Sequence, residues 1–139
     1  MEISGPDLIE TGKKQAEKFG AEIVAENVET IEKQAEELVF KTEKGSYETK
    51  HVILATGVLT DLADKVGLKT KDGTEPRIKT IFDVDALGKT NVDGIWAAGT
   101  VAGVSVHTII TDGDGFKVAI NVISELNGER YVDHDVLEK

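Results

Sequence analysis

The residues able to bind a ligand gather in two apolar runs that end in glycine. The first is Ile53-Leu54-Ala55-Thr56-Gly57, and the second runs Gly94-Ile95-Trp96-Ala97-Ala98-Gly99-Thr100-Val101-Ala102-Gly103. In the second, Ile95 to Ala98 is short enough for a buried strand, and a loop of small residues follows. A helical pattern then begins near His107, with Gly113 and Gly115 in its first half. Strand, small-residue loop and helix start, in that order, make a pocket for an anion or a dipole, because the first N–H groups of a helix have no partner inside it. Small residues also let a flat or phosphorylated ligand approach the backbone. The same residues suit a buried strand that turns tightly into a packing helix, and spacing alone leaves both readings open. Covalent and metal chemistry has little to work with. Cysteine is absent, which removes disulfides, thiolate metal sites and any Cys-x-x-Cys pair. His51, His107 and His134 are too scattered to suggest a metal cluster, so no metal ligand and no catalytic residue is assigned.

The elements that position these runs belong to one domain, residues 1–139, large enough for a single core. With 16 basic against 26 acidic residues, the formal charge is −10. That balance argues against nucleic acid and anionic membrane as partners, since both require a basic face. No apolar run approaches the roughly 20 residues that span a bilayer, and Met1-Glu2-Ile3-Ser4-Gly5-Pro6 does not read as a signal peptide. A cytoplasmic location is expected.

Ser4-Gly5-Pro6-Asp7 predicts a helix start, with Ser4 as N-cap and Pro6 in the first turn. Leu8, Ile9, Ala16 and Phe19 fall on one face, and Gly20 stops the helix. Residues 21–25 predict a strand. Residues 27–50 are rich in β-formers and predict an antiparallel meander with a turn at Lys44-Gly45-Ser46. The near-continuous apolar run at 51–55 suits a strand buried on both faces of a parallel sheet. Residues 60–66 suit one or two helical turns and 69–79 a loop, while 81–87 is ambiguous, with Asp83 and Asp85 read as solvated. The last helix is expected from His107 or Thr108 to Leu126, closed by Asn127-Gly128, and 131–139 is a polar tail.

Together these residues resemble a known family. Ile53-Leu54-Ala55-Thr56-Gly57 resembles the alanine-threonine-glycine strand of flavoproteins with two dinucleotide-binding domains, and residues 94–101 resemble their second flavin-contacting motif. That motif normally reads glycine-aspartate where this chain has Gly99-Thr100; Gly113-Asp114-Gly115 in the last helix also fits. The likeness is closest to bacterial and archaeal thioredoxin reductases and their ferredoxin–NADP reductase relatives, through residues 3–8 and 15–23 as well. Such proteins open with a strand, a G-x-G-x-x-G turn and a helix that hold the FAD pyrophosphate, and nothing like it stands before Ile3. Their NADPH domain and redox cysteines would fall between Gly57 and about Lys69, where this chain has a dozen or so residues.

The resemblance implies an α/β fold, a truncated three-layer FAD/NAD(P)-binding domain. Strands at 21–25, 51–55 and 95–98 would form a parallel sheet covered by the first and last helices, with the small antiparallel meander as another layer. It also implies a cofactor site. Thr56 and Gly57 would pass close to the dinucleotide, while Gly99, Thr100 and Val101 would lie along the ribityl chain. His107 aligns with a glutamine near the flavin pyrimidine edge, and the helix start at His107 and Thr108 would face the flavin O2. A helix dipole there stabilises a reduced flavin by about 0.3–1 kcal/mol. The implied function is that of a FAD-linked pyridine nucleotide-disulfide oxidoreductase-like module, not catalytic alone. FAD would bind weakly, or only with a partner chain supplying the nucleotide-binding turn. The alternatives are a non-catalytic remnant serving protein–protein interaction, and a gene fragment that still folds. Open sheet edges at Ile23-Val24 or Ile53-Leu54 would favour a homodimer or a partner chain.

Overall fold

The computed structural model describes residues 2–132, so His134 and most of the polar tail lie outside it. Helix α1 spans Gly5–Lys18. Ser4 caps it as expected: its hydroxyl accepts from the Asp7 N–H at 3.3 Å and donates to the Asp7 carboxylate at 2.6 Å. Gly20 follows at φ +90°, a conformation that ends a helix at little cost only for glycine. The expected packing of this helix is not found. No residue of α1 is buried, and Phe19 is 86% exposed, so α1 covers no sheet in this chain. The strand expected at 21–25 is absent as well. A strand exists only through a neighbour that takes its N–H and C=O groups, and the described residues offer none there.

The segment is tied down at its far end by polar groups. Glu26 accepts hydrogen bonds from the Thr42 hydroxyl at 2.7 Å and from Tyr47 Oη at 2.9 Å, while the Asn27 N–H donates to the Glu43 carboxylate at 2.9 Å. The Thr42 and Tyr47 hydroxyls hold the Glu26 carboxyl below its ordinary value of 4.5, and the bond to Glu26 raises the Tyr47 phenol above 10.0. Because the Glu26 pKa falls on folding, its contribution to stability is present above about pH 4.5 and is lost as pH drops through the folded value. Glu26→Gln should therefore be less stable than the parent above that pH, with the gap closing in acid. Urea titrations at pH 7 and pH 3 measure this; an equal gap at both would show that the carboxylate charge plays no part.

The meander forms as expected: β1 (Val28–Gln34), β2 (Glu37–Thr42) and β3 (Ser46–Thr49) pair antiparallel in that order. The β2–β3 turn closes through the Thr42 N–H on the Gly45 carbonyl at 2.8 Å, and Phe40 stacks on its cross-strand partner Tyr47 with ring centroids 4.9 Å apart. The next strand, β4 (Val52–Leu54), leads through the short helix α2 (Leu62–Val66) into β5 (Thr70–Asp72). β5 pairs antiparallel with β6 (Thr80–Phe82), so the first part of the expected loop at 69–79 is a strand, and the rest connects the two arms of a hairpin. Its tight end requires Gly73, where a Cβ would strike the Ile78 carbonyl. Asp83 and Asp85 are exposed, as read from the sequence, and both still find partners. Asp83 pairs with Lys71 at 3.0 Å, and Asp85 Oδ1 accepts from the N–H groups of Leu87 and Lys89, building the turn toward the next strand.

That strand, β7 (Ile95–Ala97), pairs parallel with β4 in the register Val52–Ile95, Ile53–Trp96, Leu54–Ala97. Helix α3 runs Thr108–Asn127 and ends on Gly128 at φ +72°, as its sequence predicts. β7 is buried on both faces. Ile95 and Ala97 join Ile31, Leu38, Leu54, Phe82 and Val101 on one side, and Trp96 joins Ala98, Val118 and Val122 of α3 on the other. The α/β class, the parallel pairing and the separate meander layer stand; the parallel sheet has two strands, not three.

Candidate functional site

The C-terminal ends of β4 and β7 lie side by side, so the chain leaves both strands at one edge of the sheet. Ala98 is extended, and a single 3-10 turn, Gly99–Ala102, follows it. Gly57 and Gly99 both take positive φ, at +67° and +79°. Across from them runs the first half of α3. Between these parts opens a cleft of about 290 Å3 lined by Ala55, Gly57, Ala98, Gly99, Thr100, Thr111, Asp112 and Gly115.

One buried carboxylate fixes this geometry. Asp114, only 7% exposed, accepts the Gly99 N–H at 2.8 Å and pairs with Lys117 at 2.6 Å, binding α3 to the loop after β7. Asp114 and the cleft residues Thr111, Asp112 and Gly115 were not assigned from sequence. The signal was available, since Asp114, Val118, Asn121 and Val122 share one helix face at spacings of four, three and one, and that face is the buried one.

The glycines are informative. A Cβ added at Gly57, Gly99, Gly113 or Gly115 would meet no atom within 4 Å. Gly113 and Gly115 are not at positive φ, so neither the turn of the backbone nor packing within this chain requires glycine there. Such residues cost a helix interior about 1 kcal/mol each relative to alanine. Small residues thus leave this face of α3 open.

The sequence-derived cofactor residues divide into two groups. Gly57, Gly99 and Thr100 line the cleft. Thr56 does not line it, and its hydroxyl donates to the Leu59 carbonyl at 2.6 Å. Val101 is fully buried in the core, so its side chain faces no ligand. His107 is the exposed N-cap of α3 and caps it with no side-chain hydrogen bond; its Nδ1 lies 2.8 Å from the Ser105 hydroxyl. Neither His107 nor Thr108 lines the cleft. Asp112 is the only ionisable lining residue, so the cleft walls provide no cation for a phosphate.

A larger hollow of about 460 Å3 lies between β7 and the end of α3, and several polar groups in and beside it are paired. Lys89 pairs with Glu125 at 3.0 Å, Arg130 donates to Asn121 at 2.8 Å and Trp96 Nε1 donates to His51 Nδ1 at 3.0 Å. Among the described residues no group of three potential ligands could hold a metal ion, and no helix is long and apolar enough to cross a membrane.

Comparison with known proteins agrees with this fold. The family model described as pyridine nucleotide-disulphide oxidoreductase matches residues 1–124. A thioredoxin reductase of Peptoclostridium acidaminophilum is 44% identical over 62 residues, which are 45% of this chain and 20% of that protein, so the match spans about a fifth of the relative's length. Among solved structures, a thioredoxin reductase from Gloeobacter violaceus superposes with a TM-score of 0.80 at 13% identity, covering 99% of this chain and 82% of the other. The atypical thioredoxin reductase TRi from Desulfovibrio vulgaris Hildenborough gives 0.79 at 16% identity, covering 91% and 82%. At such identities these two show a shared fold.

Proposed function

Since the chain belongs to the pyridine nucleotide-disulphide oxidoreductase family, we propose that it is a FAD-linked oxidoreductase module whose cleft takes the flavin and ribityl part of the cofactor and which does not turn over alone. The observation that carries this reading is the glycine-lined cleft at the C-terminal ends of two parallel strands, the usual ligand position in open α/β sheets. Gly57, Gly99 and Gly115 leave room for a flat ring, and Thr100 offers one hydroxyl to a polyol. A bound flavin would supply the hydride-accepting ring; the chain's part is to position it and exclude water.

The diphosphate is another matter. No cation lines the cleft, and these 139 residues contain no G-x-G-x-x-G turn. Anion binding by backbone N–H groups must then come from elsewhere, and a partner chain is the source proposed. FAD should accordingly bind this chain weakly. Thr100→Asp should tighten FAD binding about tenfold through a charge-assisted hydrogen bond, with desolvation of the new carboxylate taking back part of the gain. Fluorescence titration measures both. Stoichiometric FAD on a freshly purified monomer would overturn the partner requirement. An unchanged affinity in Thr100→Asp, with circular dichroism intact, would show that the cleft is not shaped for flavin. A cytoplasmic setting goes with this proposal.

A second reading, a non-catalytic remnant that serves protein–protein interaction, is favoured by the bare apolar faces of α1 and α3. Retained binding of a partner by a Gly115→Leu variant that no longer takes flavin would select it.

A further inference from the structure

The one tryptophan of the chain, Trp96, is 1% exposed, and its indole N–H donates to His51 Nδ1 at 3.0 Å. An indole nitrogen can only donate. His51 must therefore keep Nδ1 bare and carry its proton on Nε2, so the bond exists only while the imidazole is neutral. A second proton goes onto Nδ1 and takes the acceptor away. Histidine is the side chain that ordinarily changes charge between pH 5 and 8, so the core of this chain is tied by a contact that mild acid breaks.

The charged groups around the two rings supply an alternative partner. Lys33 of β1, Glu36 of the β1–β2 turn, Lys50, Asp93 before β7 and Glu125 of α3 line one hollow with His51. Lys33 pairs with Asp93 at 3.6 Å, and Glu125 with Lys89 at 3.0 Å. Lys50 and Glu36 make no ion pair among the described residues and are opposite in charge. Lys89 also lies over the Trp96 ring, 5.1 Å from its centroid. Glu125 is the group common to both sides: it lines the hollow of His51 and the larger one that contains Trp96 and Lys89.

We propose that His51, Trp96, Lys89 and Glu125 form a proton-driven switch, in which protonated His51 leaves Trp96 for the Glu125 carboxylate. Above the transition, His51 accepts from Trp96 and Glu125 holds Lys89. Below it, His51 is a second cation competing for Glu125, and the indole N–H is left without its partner. Two pairings of the same four groups make a two-state element, and the proton biases it. The device links the start of β4, the middle of β7 and the last turn of α3. Neither hollow shares a lining residue with the cleft assigned to the flavin, so the inference stands or falls apart from that reading.

Because Trp96 is the one tryptophan, it gives a single indole N–H signal and all of the tryptophan emission. In the parent, the emission should move to longer wavelength and the indole signal should shift in one transition as pH falls from 8 to 5. His51→Asn places an amide oxygen near the position of Nδ1 without a titrating ring, so both signals should stay at their high-pH values throughout. At pH 5 the indole N–H should exchange more than roughly tenfold faster in the parent than in His51→Asn, whereas at pH 8 the two should match. Glu125→Gln should keep the bond at pH 8 and move the transition to lower pH, because the charged ring loses its new partner. A further check needs no variant: the ring 15N signals of His51 at pH 8 should be those of the Nε2–H tautomer. The proposal is overturned by a parent without a transition, or by one that persists in His51→Asn and so belongs to other groups. An unmoved transition in Glu125→Gln, or a proton on Nδ1 at pH 8, overturns it equally.

Discussion

Asp114→Ala is expected to lower the unfolding free energy by about 2–3 kcal/mol, and to open the cleft at the same time. The carboxylate is buried and does two things at once: it accepts the Gly99 N–H at 2.8 Å and holds Lys117 at 2.6 Å. A hydrogen bond to a charged group contributes about 1.5–3 kcal/mol, and a donor left unsatisfied in the interior costs a comparable amount. The ion pair adds little, because Lys117 is half-exposed. Asp114→Asn keeps an acceptor oxygen for Gly99 and should recover about half of the loss. Urea unfolding measures the stability, and amide exchange at Gly99 and Thr100 reports the loop. A stability change below about 0.5 kcal/mol with Gly99 still protected would show that the loop after β7 is held by its own turn, and that Asp114 does not anchor it.

Replacing Gly113 and Gly115 together by alanine should do the opposite to the fold. Both lie inside α3, and a methyl at either position meets nothing within 4 Å. Alanine is favoured over glycine by about 1 kcal/mol in a helix interior, and residues two apart on a helix do not face each other. The double variant is therefore expected to gain about 2 kcal/mol in stability. Gly115 lines the cleft, so the same methyl that steadies the helix takes space from a flat ligand, and FAD affinity should fall by at least tenfold. Gly113→Ala alone should stabilise without that loss, because Gly113 does not line the cleft. Thermal melts and the flavin titration separate the outcomes. A helix that is not stabilised would mean that these glycines do not sit in regular helix. A stabilised chain with unchanged flavin affinity would remove the cleft from consideration as the ring site.

These two variants touch what was and was not legible in the sequence. The helices were legible, because each is bounded by local chemistry. Ser4 with Pro6 starts α1, Gly20 and Gly128 stop α1 and α3, and caps act through groups within a few residues. The meander was legible from its β-formers and the turn at Gly45, and the two parallel strands from their apolar runs ending in glycine, although only β7 is buried on both faces while β4 leaves Ile53 exposed. Family membership followed from those runs and their order, and the match over residues 1–124 bears it out. Gly57, Gly99 and Thr100 could be placed at one cleft because each directly follows a parallel strand, and parallel strands deliver their C-terminal ends to the same edge.

Only the tertiary structure decided the rest. Residues 21–25 carry strand-forming residues but form no strand, since a ladder needs a neighbour and local sequence does not say whether one is present. Residues 69–79 look like loop by composition, yet Thr70–Asp72 forms a strand by pairing with Thr80–Phe82 just beyond that stretch. Val101 belongs by sequence to a ligand-contacting loop and by packing to the core, because the 3-10 turn after Gly99 rotates its side chain inward. Asp114 reads as one more acidic residue in an acidic chain. It becomes the tie between helix and cleft only when α3 lies against the loop after β7, a contact between residues fifteen apart in the chain. Local propensity and capping thus wrote the elements into the sequence, whereas burial and hydrogen-bond partnership depend on which elements meet, and that is settled by the packing of the whole chain.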